Sequence, residues 1–336
     1  MEATADPRPA VEIEFQGVAK RYEGQERPAI DNLWLKVPAG DTCCLVGPSG
    51  GGKTTAMKLV NRLIDITEGD ILIGGRSVRA MDVIELRRDI GYVIQQIGLF
   101  PHMTISANIG LIPKLLGWSK DRIEHRTGEL LDLVRLDRSY AKRYPAQLSG
   151  GQQQRVGLAR ALAADPPVML MDEPFGALDP ITRSALQDEF LALESQVGKT
   201  VIFVTHDIDE AIKMGDRIAV LREGGVLAQY GTADELLGQP ADQYVADFVG
   251  ADRGLKRLSL RRMGEAVEHN ETAPPGAPSV SARTTMRVGL SVLFASGSPV
   301  LVVTDDQGNQ MGTATLDQLQ QAVGNPTEEP TQGTPP

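Results

Sequence analysis

Cysteine is nearly absent from the 336-residue sequence: it has two, Cys43 and Cys44, and they are adjacent. Neighbours in a strand point to opposite faces, so the pair is unsuited to bridging itself, and two thiols are too few to cage a metal. They read as small buried apolar groups in a reducing compartment. Positive charge is also short. Against 44 Asp and Glu there are 34 Lys and Arg, a formal charge of -10. No global basic field holds a phosphate polymer, which argues against nucleic acid as the main partner. The amino terminus, MEATADPRPAVEIEF, lacks a basic segment followed by an apolar core and is not expected to be a signal peptide. No run of 18 apolar residues occurs; the nearest, residues 288–304, is broken by Gly, Ser and Pro. Residues 90–113, IGYVIQQIGLFPHMTISANIGLIP, hold no charged side chain in a chain that is 23% charged. Gln95, Gln96, Pro101, His102 and Asn108 rule that stretch out as a membrane span, leaving buried core or an apolar docking surface.

What is present is alternation. Apolar runs (VEIEF, TCCLVG, PVMLMDEP, TVIFVTHD) alternate with helical patterns (TTAMKLVNRLI, TRSALQDEFLALESQ), which predicts a largely parallel sheet covered by helices. RIAVLREGGVLAQYG reads as an antiparallel hairpin at the sheet edge. The expected organisation is a flexible segment 1–10, a domain over 11–250, a connector and linker over 251–281, and a small α+β unit over 282–323, or from near 258. A disordered tail over 324–336 completes it.

Three motifs carry chemistry. GPSGGGKT fits G-x-x-x-x-G-K-[ST], with Gly47, Pro48, Ser49, Gly50, Gly51, Gly52, Lys53 and Thr54, then Thr55. Its glycines let backbone N–H groups converge on phosphate oxygens at a helix N-terminus, while Lys53 reaches the outer phosphates and Thr54 offers a hydroxyl to Mg²⁺. VMLMDEP is a buried strand ending in two carboxylates. Asp172 is expected in the magnesium shell and Glu173 as acceptor of a proton from the attacking water. LSGGQQQRVGLARALAADP places Ser149 as a helix N-cap, either a plain cap or a second anion-binding helix end. With one P-loop and two such ends, each end would serve a different nucleotide, which implies paired chains. His206 closes the last core strand beside Asp207.

In this order, with a Gln after the YVI strand and with GALD, these motifs resemble the ATP-binding cassette ATPases over about residues 11–250. The resemblance implies an α/β P-loop NTPase cassette with a mostly parallel sheet, an antiparallel β subdomain and a helical subdomain. It implies ATP and Mg²⁺ as ligands and a head-to-tail homodimer around two ATPs. Tyr22 would stack on adenine, and Gln95 would touch Mg²⁺ and water. Ser149, Gly150, Gly151 and Gln152 would cap the other subunit's γ-phosphate. Asp179 would couple the two sites, and His206 would hold γ-phosphate, water and Glu173. The segment after Gln95 would line a groove for a helix of an integral-membrane permease, on the cytoplasmic face of a bacterial membrane.

The wording of MKLVNRLI, ELRRDIGYVIQQIGLFPHMTI, PKLLGWSKDRI and ADRGLKRLSL resembles importers of quaternary-amine osmoprotectants, in which a separate binding protein or domain chooses the solute. A cassette for another small solute, such as an amino acid, is the alternative. A DNA-maintenance ATPase would carry a coiled coil between P-loop and signature, and a translation factor would carry two cassettes. The C-terminal unit resembles a single CBS motif where relatives carry two, and pairing of the motifs of two chains is expected.

Overall fold

Apolar runs and helical patterns alternate here as elements of two compact units, Met1–Tyr230 and Gly231–Pro336, in a computed structural model that describes residues 8–94, 98–176, 178–268, 273 and 275–324. The first unit begins with β1 (Ile13–Lys20), β2 (Ile30–Val37), β3 (Thr42–Val46) and α1 (Lys53–Val60). There follow β4 (Glu68–Ile73), β5 (Arg76–Ser77), α2 (Val83–Arg88), β6 (Ile90–Val93), α3 (Ile105–Ile109), α4 (Leu111–Leu115) and α5 (Lys120–Leu133). The remainder is α6 (Gly150–Leu162), β7 (Val168–Asp172), α7 (Pro180–Val197), β8 (Thr200–Val204), α8 (Ile208–Met214), β9 (Arg217–Leu221) and β10 (Leu227–Gly231).

Every residue of β3 (TCCLV) and β8 (TVIFV) is buried. Such continuous apolar strands require cover on both faces, which places them inside a parallel sheet. They are the central strands of a six-stranded sheet ordered β10-β9-β3-β8-β7-β6, and its pairings from β9 through β6 are parallel. A second sheet, β2-β1-β4-β5, is antiparallel. One core joins both, with Phe15, Met57, Leu59, Ile71, Leu170 and Ile202 fully buried. The expected edge hairpin is present as β9 and β10, whose turn is closed by the Arg222 N–H donating to the Val226 carbonyl at 2.9 Å. This P-loop NTPase architecture is the expected α/β class.

Several local expectations are corrected. The helix after the P-loop stops at Val60, before the expected Ile64. Arg62 takes φ 49 and donates to the Val78 and Met81 carbonyls at 3.1 and 2.9 Å, turning the chain away. Arg8, expected to be flexible, is pinned: its guanidinium donates to Asp89 Oδ1 at 2.8 Å, and its carbonyl accepts from buried Lys199 at 2.6 Å. The charge-free stretch is neither all core nor all surface. Ile105 and Ile109 are buried, and buried Asn108 donates to the Phe100, Met103 and Thr104 carbonyls. Phe100 remains exposed, as does Leu115 just beyond the stretch.

The second unit contains α9 (Ala233–Gly238), α10 (Gln243–Val249), α11 (Arg253–Leu260), β11 (Ser279–Ser281), α12 (Met286–Ser296), β12 (Val300–Thr304), β13 (Gln310–Thr315) and α13 (Leu316–Gly324). β11 runs parallel to β12, and β13 antiparallel to it. Within the expected connector and linker over 251–281, Arg253–Leu260 and Ser279–Ser281 are ordered elements of this unit. α11 contributes Leu258 to this unit's core and holds Arg257 on Asp234 of the same unit at 2.7 Å, and β11 pairs Val280 with Val303. The same contacts explain why the compact units divide after Tyr230, before the expected end of the first domain at residue 250. Residues 1–7 and 325–336, expected to lack order, lie outside the described residues. Among the described residues no helix is long and apolar enough to cross a membrane.

Candidate active site

In a parallel sheet, the loops after the C-terminal strand ends share one edge, and that edge is where such folds bind ligands. β3 leads there to the P-loop, β7 to Asp172 and Glu173, and β8 to His206. The P-loop's tight path depends on two glycines. Gly47 has φ 150, and a Cβ there would lie 2.3 Å from the Leu221 carbonyl oxygen. Gly52 has φ 78, and a Cβ there would lie 2.4 Å from the Ala29 carbonyl oxygen. An open cleft of about 620 Å³ results, lined by Tyr22, Lys53, Thr54 and Glu173 with Ser49, Gly50, Gly51, Gly52 and Thr55. That volume is in the range of small-molecule sites. Motif reading missed Gln25, Arg27, Pro28 and Ala29 of the β1–β2 loop and Glu223 of the edge turn, which also line the cleft. No residue-type signal marks them; only the place of Gln25, Arg27, Pro28 and Ala29 after Tyr22 points there.

Lys53 is 8% exposed, and its ammonium donates to the Gly47 and Pro48 carbonyls at 2.8 and 2.9 Å. Burial pushes its pKa down, against the pull of Glu173 and Asp172. A buried cation held by neutral acceptors, beside converging N–H groups, suits an anionic ligand. Thr54 Oγ1 donates to Asp172 Oδ1 at 3.1 Å. Burial pushes the Asp172 carboxyl above its usual range, and the Thr54 hydrogen bond opposes this only in part. Among the described residues no group of three or more His, Cys, Asp or Glu side chains could hold a metal ion. One hydroxyl and one carboxylate, completed by phosphate and water, is a donor set that fits magnesium and not a protein-only cage.

Glu173 directly follows β7 with φ 44, a left-handed conformation unusual for a residue with a side chain. Its N–H donates to the Val204 carbonyl at 2.9 Å, locking it to the end of β8. The His206 imidazole Nδ1 lies 3.2 Å from Glu173 Oε1 and is largely exposed. Asp207 caps α8 by accepting from the Asp209 and Glu210 N–H groups at 2.9 and 3.3 Å.

Gly47, Pro48, Asp172 and His206 do not line the cleft but contact residues that do, Lys53, Thr54 and Glu173; the other expected residues are not in this cleft. Ser149 caps α6: its Oγ accepts from the Gln152 N–H at 3.3 Å, while Gln152 Oε1 accepts from the Ser149 N–H at 3.0 Å. Gly150 and Gly151 open that helix. Asp179 caps α7, accepting from the Ile181 and Thr182 N–H groups at 3.2 and 3.1 Å, and the Thr182 side chain together with these bonds holds its carboxyl below the usual range. None of these residues lines the P-loop cleft of its own chain. Gln95 lies outside the described residues. A smaller apolar cavity of about 50 Å³, bordered by Val93, Ile94, Met171, Phe175 and Leu186, is too small for a nucleotide.

Comparison with known proteins agrees with this geometry. The ABC transporter family profile matches residues 30–176. The osmoprotectant import ATP-binding protein OsmV of Salmonella typhimurium is 47% identical over 93% of this chain and 81% of its own length. The glycine betaine/carnitine/choline transport ATP-binding protein OpuCA of Bacillus subtilis is 46% identical over 92% of this chain and 80% of its own. Among solved structures, the dimeric post-hydrolysis state of the ATP-binding cassette MJ0796 bound to ADP and Pi superposes with a TM-score of 0.58. It is 36% identical and covers 66% of this chain and 98% of the other. Likeness across nearly the whole chain, with the P-loop and its carboxylates assembled at one sheet edge, makes this protein a member of the ABC transporter ATPase family.

Proposed function

We propose that the chain is the ATP-hydrolysing subunit of an importer for quaternary-amine osmoprotectants of the glycine betaine, carnitine and choline type. The observation that carries this reading is the 47% identity to an osmoprotectant import ATPase, sustained over 93% of the chain. The protein works at the cytoplasmic face of the membrane, bound to an integral-membrane permease, while a separate binding protein selects the solute. Exposed Phe100 and Leu115, beside the buried face of α3, supply the apolar surface for a permease helix. Gln95 and the segment after it report nucleotide state to that helix.

In the site, Tyr22 stacks on adenine, and the N–H groups of the P-loop with Lys53 take the β- and γ-phosphates. Thr54 and Asp172 would hold Mg²⁺, whose charge would offset that of the nucleotide phosphates. Glu173 takes a proton from the attacking water, and His206 holds Glu173 and the γ-phosphate in place. Ser149, Gly150, Gly151 and Gln152 of a second chain close the pocket, a reading supported by the likeness to a dimeric cassette bound to ADP and Pi. Asp179 couples the paired sites. The C-terminal unit acts as a single CBS-like motif that pairs with its copy, covering Val288 and Phe294, which are 50% and 70% exposed on α12.

The test is co-purification with the permease, followed by ATPase assays with each candidate solute and its binding protein. Stimulation by a quaternary amine is expected. Stimulation only by an amino acid would move the assignment to the alternative importer class.

A further inference from the structure

The helices that leave the two sides of the site meet through a buried polar pair. Gln187 Nε2, on α7, donates to Glu210 Oε1, on α8, at 2.9 Å. The two residues are only 6% and 8% exposed. Burying a carboxylate is unfavourable even when it is hydrogen-bonded, and an apolar pair would fill the same contact without that penalty. What the polar pair adds is direction. One directed bond sets the rotation of α8 against α7, whereas packed leucines tolerate small slips.

Both helices end at proposed functional residues. α7 starts at its cap Asp179, two turns before Gln187. α8 starts at its cap Asp207, whose carboxylate accepts from the Glu210 N–H and whose own N–H donates to Thr205 Oγ1 at 3.1 Å. His206 lies between Thr205 and Asp207, 3.2 Å from Glu173. A second contact between the helices, Lys213 with Asp188 at 2.7 Å, is more exposed and lies farther along α8 from His206.

We propose that Gln187 and Glu210 are positioning residues that keep His206 at Glu173 in register with Asp179. A contact made by a second chain at Asp179 then reaches the hydrolytic pair through α7 and α8. The proposal rests on the reading of the chain as an ATPase of paired cassettes.

The test compares ATPase kinetics and melting of the full chain in three forms. The apolar double variant Gln187→Leu/Glu210→Leu is expected to melt no lower than the parent and to keep its KM for ATP. Its kcat is expected to fall about tenfold, as a displaced catalytic group would cause. The exchanged pair Gln187→Glu/Glu210→Gln restores an amide–carboxylate bond in the reverse sense and is expected to recover most of kcat. Lys213→Ala is the control and is expected to keep parental kcat. The proposal is overturned if the leucine pair turns over at the parental rate, if the exchanged pair is as slow as the leucine pair, or if Lys213→Ala is equally slow. The reading it rests on fails separately: Glu173→Gln would then leave the parent's ATP turnover unchanged.

Discussion

His206 Nδ1 lies 3.2 Å from Glu173 Oε1 because β7 and β8 are adjacent parallel strands that end together. The Glu173 N–H on the Val204 carbonyl fixes the approach, and the left-handed backbone at Glu173 turns its side chain toward the cleft. A carboxylate so held can accept a proton without rearrangement. Replacement of Glu173 by Gln is therefore expected to lower ATP turnover at least about a hundredfold while nucleotide binding stays near parental strength. Phosphate release and equilibrium binding, measured on the same preparation, check both halves.

Asp172 and Thr54 share a hydrogen bond at 3.1 Å, and burial raises the Asp172 carboxyl. A divalent cation bound there would relieve that unfavourable burial. Asp172→Asn should raise the Mg²⁺ concentration for half-maximal ATPase activity by about tenfold or more. A magnesium titration at saturating ATP reads this directly. An unchanged titration would remove Asp172 from the metal shell.

Much of this site is legible in the sequence because its chemistry is local. A P-loop needs glycines, Lys53 and Thr54 at fixed offsets, and a capping box needs Ser149 three residues before Gln152. The parallel sheet is equally legible from unbroken apolar runs such as TVIFV. What escapes the sequence is contact between distant polar groups. Gln187 and Glu210 are 23 residues apart and look like ordinary solvent-facing helix residues, yet both are buried. Arg8 meets Asp165 across 157 residues, and nothing near Arg8 announces the meeting. β11 is three residues long in a segment of linker composition and exists through its pairing with β12.

Glu194 offers a test of stability far from the chemistry. Burial, with Asp216 nearby, raises its pKa from 4.5 to about 7, and the Thr42 hydroxyl donates to it. The unfolded chain loses this proton near 4.5 while the folded chain keeps it to about 7. Folding stability thus falls as pH rises through that window, and the full penalty remains above it. The shift alone would correspond to about 3 kcal/mol, and solvent screening of this partly exposed group lowers that, so Glu194→Gln should stabilise the protein by about 2 kcal/mol at pH 8 and by little near pH 4.5. Thermal melts at the two pH values give the comparison, and an equal shift at both would contradict it.

The exposed Val288 and Phe294 of α12 make pairing of the C-terminal units testable. Small-angle scattering from the Glu173→Gln protein with ATP should report a compact dimer. Phe294→Asp should enlarge the radius of gyration without altering dimer mass. Identical profiles for the two proteins would mean the tails do not pair through this face.

The central claim is that Ser149, Gly150, Gly151 and Gln152 of one chain complete the pocket begun by its partner's P-loop, and mixing two inactive chains tests it most directly. A Lys53→Ala chain and a Ser149→Arg chain should each be nearly inactive alone. Mixed, they form dimers with one site built from an intact Lys53 and an intact Ser149. ATPase activity well above the sum of the separate proteins is the predicted result. A mixture no more active than its parts, although mixed dimers form, would contradict the account.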